Sequence, residues 1–74
     1  MTSKITITIA SVPDREKLVA ELWVGHRQWA ELSQENETLL LEIYPSSGNS
    51  AWSLDYEDTM NGLMQAKQKL TGNL

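Results

Sequence analysis

Apolar and polar residues alternate along most of the first 44 positions, which is the pattern of half-buried β-strands. The clearest case is KITITIA, where Ile5, Ile7 and Ile9 alternate with threonines. A period of two puts the three isoleucines on one face of a strand. The alternation stops at residues that favour turns or lack an N–H for a ladder: Pro13, Gly25-His26, Glu35-Asn36 and Pro45. It therefore predicts four strands, at about residues 3–11, 17–24, 27–34 and 38–44.

The C-terminal segment changes to the period of an amphipathic helix. Its apolar residues recur three or four positions apart: Met60, Leu63, Ala66 and Leu70. This spacing places them on one face of a helix. Ser53 or Asp55 precedes the pattern as a candidate N-cap, and Gly72 follows it as a candidate stop. The segment therefore predicts a helix over about residues 55–71.

The hairpin between the second and third strands has two alternative registers. A three-residue connection (Gly-His-Arg) after Val24 sets Leu22 opposite Ala30, so that apolar side chains share a face. A two-residue loop would instead set Ala20 opposite Glu31 and turn a carboxylate toward the core. Because an unpaired buried carboxylate is costly, we predict the three-residue connection.

The last hairpin completes the predicted faces of the sheet. A two-residue turn at Glu35-Asn36 sets Leu32 opposite Leu39, so apolar residues again meet. The aliphatic side chains then share one face, and the C-terminal helix is the element that covers it. The sequence thus predicts an α+β fold, β-β-β-β-α: a four-stranded antiparallel meander with one helix packed on one face, in a single domain over residues 1–74.

The opposite face of the predicted sheet combines carboxylates with large aromatic rings. The register sets Trp23 opposite Trp29, Glu21 opposite Glu31, and Trp29 in turn opposite Glu42. Trp and Tyr are rigid anchors that dominate the energetics of interfaces, and we predict a partner-binding surface made of these residues: Trp23, Trp29, Tyr44, Glu21, Glu31, Glu42 and Leu40. Replacing Trp29 by Ala is then expected to weaken association by at least about 2 kcal/mol and to leave the fold intact.

Composition narrows the classes of function. The chain has 74 residues and no cysteine, which excludes thiol catalysis, cysteine-ligated zinc and a disulfide-stapled scaffold. Its net charge is −4 and its Lys and Arg residues are scattered, a composition that disfavours nucleic-acid binding. No apolar run approaches the roughly 20 residues that cross a bilayer, and the N-terminal residues follow a strand pattern. We expect a cytoplasmic, bacterial protein without membrane contact, metal or other cofactor.

Three functions from different classes remain open. The leading hypothesis is a non-enzymatic protein-interaction module that binds a protein partner or a second copy of itself. The first alternative is a small hydrolase-like enzyme or accessory subunit that uses Glu21 and Glu31 as a carboxylate pair, since two acids catalyse glycoside hydrolysis. The second alternative is a purely structural homodimer. Beside these functions stands a structural interpretation, in which the aromatic cross-strand residues merely stabilise the sheet face that one helix leaves uncovered in a thin domain.

Several short motifs along the chain resemble those of a set of very short, largely uncharacterised bacterial proteins. They are VPDREKLVAE at 12–21, QWAE at 28–31, EIYP at 42–45, Trp52 and the Ala66-Lys67 pair. The resemblance covers nearly the whole chain, but it implies no chemistry and no established site residues. Some small acidic proteins of this size are immunity proteins that block a cognate toxin, and this analogy of size and charge suggests an immunity-like or antitoxin-like partner binder.

Overall fold

Four antiparallel strands and one helix make up the fold. The computed structural model describes residues 4–13, 17–35, 37–46, 48 and 50–72. The elements are β1 (Ile5–Ala10), β2 (Val19–Val24), β3 (Arg27–Glu35), β4 (Thr38–Ile43) and α1 (Tyr56–Thr71). The strands pair in the order β1-β2-β3-β4, and α1 packs on the sheet. The predicted α+β meander with one C-terminal helix is confirmed.

The elements begin and end within two residues of the predicted ranges. Residue 3 of the first predicted strand, Asn36 of the predicted turn and residues 14–16 of the VPDREKLVAE motif lie outside the described residues. The helix begins where the sequence indicates, because the Asp55 carboxylate accepts a hydrogen bond from the Asp58 N–H at 2.9 Å. It ends at Gly72, whose φ of 69° is left-handed. Among the described residues, no helix is long and apolar enough to cross a membrane.

The β2–β3 hairpin has the predicted Leu22–Ala30 pairing but a shorter turn than predicted. Leu22 lies opposite Ala30, as predicted. However, Val24 pairs with Arg27, so the connection has two residues and the predicted three-residue connection is wrong. Gly25 opens this tight turn with a φ of 62°, a conformation that glycine adopts without steric cost.

The extra residue of this hairpin lies inside β3 as a β-bulge. The pairing changes from Leu22–Ala30 to Trp23–Gln28, which leaves Trp29 without an opposite residue in β2. The predicted Trp23–Trp29 pair is therefore wrong. The bulge combines a two-residue turn with the apolar pairing that the core requires.

The β3–β4 hairpin is displaced by two residues from the predicted register. Leu32 lies opposite Leu41 and not opposite Leu39. Because the side-chain period of a strand is two, this displacement keeps every residue of β4 on its predicted face. Glu35 pairs with Thr38, so the turn lies one position later than predicted.

The last residue of this turn has a backbone conformation that is unfavourable for its type. Glu37 has a φ of 67°. The left-handed region costs a residue with a Cβ roughly 1–2 kcal/mol. Two-residue hairpin turns need such positive φ values, so the turn places Glu37 there at a local cost.

The buried core lies between α1 and the first three strands. Among the described residues, its buried side chains are Ala20, Leu22, Trp29, Ala30, Leu32 and Ala66, while Val19 is also buried but lies outside this cluster. The helix contacts β1 and β2 and, to a lesser extent, β3, but it makes no contact with β4. Leu41 and Ile43, expected under the helix, consequently keep 40% and 61% of their surface exposed.

The helix approaches the sheet closely at Gly62. A Cβ built on Gly62 would lie 2.8 Å from Cγ2 of Ile5 and 3.3 Å from its Cβ. Both atoms belong to the stiff, branched base of the isoleucine side chain, which has little freedom to move. The missing side chain thus brings α1 over β1.

We expect Gly62→Ala to lower the free energy of unfolding by about 1–3 kcal/mol, because the overpacking exceeds the gain of about 1 kcal/mol in helix propensity. Urea unfolding followed by circular dichroism measures the change. Asn61→Ala, on the exposed side of α1, is the propensity control and should be slightly stabilising. In an Ile5→Ala background, which removes Cγ2 but keeps the Cβ at 3.3 Å, the Gly62→Ala effect should be smaller, and an unchanged effect there would contradict the proposed contact.

We expect Glu37→Gly to raise the free energy of unfolding by about 0.5–1 kcal/mol, since relief of the left-handed strain outweighs the added entropy of the unfolded chain. Glu37→Gln, which removes the charge but keeps the Cβ, should leave stability within about 0.3 kcal/mol of the original. Equal effects of the two substitutions would show that charge, and not backbone strain, is responsible.

Candidate functional site

Three glutamates form one row across neighbouring strands. Glu21 lies opposite Glu31, as predicted, and Glu31 lies opposite Glu42. The prediction that Glu42 lies opposite Trp29 is wrong, because β4 is displaced by two residues. We call these three residues the acid row. Directly opposite residues have Cβ atoms about 4.5–5.5 Å apart, so the three side chains leave the sheet side by side.

The acid row lies on the sheet face that α1 leaves uncovered. Leu22 of β2, Ala30 of β3 and Ala66 of α1 belong to one buried cluster. The helix therefore covers the face that carries Leu22 and Ala30. Residues next to these in sequence face the other side of the sheet. Glu21 and Glu31 therefore lie on the side away from the helix.

Two aromatic side chains donate hydrogen bonds to the acid row. The indole Nε1 of Trp23 donates to Oε1 of Glu21 at 3.4 Å, and the hydroxyl of Tyr44 donates to Oε1 of Glu31 at 3.1 Å. Both aromatic residues are half-buried. The association of carboxylates with aromatic rings that the sequence suggested is thus a set of direct contacts.

A second group of contacts, which sequence reasoning missed, holds the segment after β4. Nε1 of Trp52 donates to the carbonyl oxygen of Tyr44 at 2.7 Å. The guanidinium carbon of Arg27 lies 4.6 Å from the centroid of the Trp52 ring, within range of a cation–π interaction. No sequence spacing signals a pair this far apart, and only the path of the chain brings Trp52 back to the hairpin.

Trp29 is the predicted anchor that the structure removes from the surface. Only 4% of Trp29 is exposed, and it belongs to the buried cluster with Leu22 and Ala30. Its Nε1 has no hydrogen-bond partner among the described residues. The prediction that Trp29 lies on the exposed binding surface is therefore wrong, and because truncating a buried aromatic leaves a cavity, we now expect Trp29→Ala to destabilise the fold.

The other residues of the predicted binding surface differ in how much of each side chain is exposed to solvent. Leu40 and Glu42 of β4 are exposed. Three more are half-buried: Glu21, Trp23 and Tyr44. Glu31 is buried at the centre of the acid row. A partner on this face would meet the β4 side of the row first, with the two aromatic rings at its borders.

Two open clefts lie away from the acid row. One, of about 420 Å³, has Arg27 and Trp52 among its lining residues. The other, of about 520 Å³, lies beside α1 and has Lys4 and Asp58 among its lining residues. Neither cleft is lined by Glu21 or Glu31. The described residues also include no group of three or more His, Cys, Asp or Glu side chains placed to hold a metal ion.

We expect Trp29→Ala to lower the free energy of unfolding by about 3–5 kcal/mol. Trp29→Phe should stay within about 1 kcal/mol of the original, since the lost ring volume is offset by removal of an unpaired N–H that costs about 1–3 kcal/mol. Urea unfolding followed by far-ultraviolet circular dichroism measures both. Trp23→Ala, at a half-buried ring, is the control and should cost less than Trp29→Ala; the opposite order would contradict the burial of Trp29.

The chain matches no protein-family model, no curated protein and no solved structure. The resemblance to short bacterial proteins at VPDREKLVAE, QWAE and EIYP stays a prediction.

Proposed function

We propose that the protein is a non-enzymatic protein-interaction module that binds a basic partner through the acid row and its aromatic borders. The observation that supports this proposal is the alignment of Glu21, Glu31 and Glu42 in three adjacent strands on the face without a helix. The binding surface comprises the acid row together with Trp23, Tyr44 and Leu40.

The acid row is unfavourable for the isolated sheet but favourable for a basic partner. Like charges at directly opposite positions destabilise a sheet. The same arrangement concentrates negative potential on one face of a chain whose net charge is −4. Such a field steers an oppositely charged surface during encounter and raises the association rate. The charge pattern therefore favours an interaction surface over a purely structural face.

The borders of the row supply the apolar part of an interface. Trp23 and Tyr44 expose part of their rings while their polar atoms are held by Glu21 and Glu31. An aromatic ring that is already held in place loses little entropy on binding. Leu40 adds an exposed aliphatic side chain on the same face. Aromatic anchors bordering charged groups are the composition of a protein–protein interface.

The kind of partner follows from size and charge. A small acidic domain with one charged face has the general properties of immunity proteins and antitoxins, which neutralise a toxin by covering its surface. We therefore propose a toxin with a basic surface as the partner. This assignment rests on analogy of size and charge together with the acid row.

A carboxylate-pair enzyme is the second candidate, favoured by one observation. Glu21 and Glu31 lie directly opposite each other on neighbouring strands. An enzyme would also need a concave site to hold its substrate, whereas the clefts described above are lined by other residues. Protein binding is therefore the better-supported function.

The test is quantitative capture of partners from lysate of the native cell. We expect a basic protein to bind the unaltered chain and to be retained at least about tenfold less by Glu42→Lys, because a lost and inverted charge contact costs 1.4 kcal/mol or more. Trp23→Ala should also weaken retention. Glu37→Lys makes the same change of charge at the exposed hairpin turn, outside the acid row, and should retain the partner.

Ionic strength gives an independent check on the same complex. Binding through the acid row should weaken as salt is raised, since exposed charges are screened over about 8 Å at physiological ionic strength. A captured partner that binds Glu42→Lys and Trp23→Ala as tightly as the unaltered chain would overturn the proposed surface.

A further inference from the structure

The backbone groups on the open side of β4 can be identified residue by residue. β4 is an edge strand of the sheet. The N–H of Tyr44 donates to the carbonyl oxygen of Trp29 at 2.9 Å. Bonded pairs alternate along an antiparallel ladder, so Leu40 and Glu42 also direct their N–H and C=O groups toward β3. The corresponding groups of the odd-numbered residues between them therefore face the open edge: Leu39, Leu41 and Ile43.

These same residues carry aliphatic side chains that the helix does not cover. Leu41 and Ile43 are exposed, and α1 makes no contact with β4. Edge strands are usually protected by lysine, proline or a bulge. β4 has none of these between Thr38 and Ile43, and its one charge, Glu42, lies on the other face. The edge-facing backbone groups therefore have no strand of the described chain beside them. Leu41 and Ile43 keep exposed side chains at this edge, whereas Leu39 packs against the buried cluster.

We propose that β4 pairs antiparallel with β4 of a second copy of the chain, about a twofold axis at Leu41. The two four-stranded sheets would join into one continuous sheet. A twofold axis perpendicular to a sheet makes the two edge strands antiparallel and gives an isologous interface. The acid row stays accessible on the face away from the helices, so the pairing does not depend on the proposed function.

The sequence of β4 is complementary to itself in this register. Leu41 meets Leu41 of the second copy, and Leu39 meets Ile43, so apolar residues face each other on the helix side. Glu42 meets Leu40 on the other side, and no carboxylate lies directly opposite another. A twofold axis at Leu40 would instead set Ile43 opposite the charged Glu37. The register centred on Leu41 therefore pairs every edge-facing group and every exposed aliphatic side chain of the strand.

A second copy also supplies burial that the monomer lacks. A domain of this length buries only about 60% of the surface that its unfolded chain exposes. The buried apolar residues of the described chain include three alanines, which contribute little area. Pairing through one strand forms a small interface of the weak class, below about 1,200 Å² in total. The dimer is therefore expected to be reversible.

The test combines sedimentation with amide hydrogen exchange on the full chain, at concentrations from about 1 to 500 µM, the range of a weak interface. We expect a reversible dimer, with exchange of the Leu41 and Ile43 amides slowed as concentration rises. The Leu40 and Glu42 amides, which bond to β3, should be protected at every concentration. Dimerisation should strengthen with added salt, because two chains of charge −4 repel each other.

Two matched substitutions locate the interface. Ile43 and Met64 are both 61% exposed, and each change to Lys adds one positive charge. Ile43→Lys should weaken dimerisation at least about tenfold, whereas Met64→Lys on α1 should leave it within about twofold. A monomer at all concentrations would overturn the proposal. A dimer in which the Leu41 amide stays unprotected would also overturn it. The same holds for a dimer that Met64→Lys disrupts and Ile43→Lys leaves intact. If Ile43→Lys fails to fold, the exchange of Leu41 in the unaltered chain decides.

Discussion

The contact between Gly62 and Ile5 determines where the single helix lies, and much of the molecular surface follows from that position. With side chains, a helix is about 10–12 Å wide, whereas four strands spaced about 4.8 Å apart extend over more than that. One helix therefore cannot cover the whole aliphatic face. Because a glycine allows α1 to approach β1, the covered part is β1, β2 and some of β3. The uncovered part is β4, together with the entire opposite face.

The two uncovered regions differ in chemistry. The face away from the helix carries the acid row, in which aromatic donors hold two of the three carboxylates. The edge of β4 carries aliphatic side chains and unpaired backbone groups of the same residues. Screening by salt weakens attraction between opposite charges and also relieves repulsion between like-charged chains. The proposed partner binding at the acid row and the proposed pairing of β4 are therefore expected to respond in opposite directions to ionic strength.

The errors in the predicted registers show which sequence signals are strong. Apolar alternation fixes which face of the sheet each side chain takes. A displacement of two residues in β4 leaves those faces unchanged. Turn chemistry is a weaker constraint, since the observed turn places Glu37, and not a glycine, in a left-handed conformation. The bulge at Trp29 has no signature in the local sequence. It arises because the two-residue turn and the Leu22–Ala30 pair cannot both be satisfied without an extra residue in β3.

The sequence by itself determined the order of the elements, the faces of the strands and the Glu21–Glu31 pair, because these depend on side-chain period and on the spacing between turn residues. Only the tertiary structure decided that Trp29 is buried, that Trp52 packs against Arg27, and that Glu42 completes the acid row. It also decided which strand the helix leaves open. These features depend on distances between segments remote in sequence, and such distances are set by the packing of the whole domain.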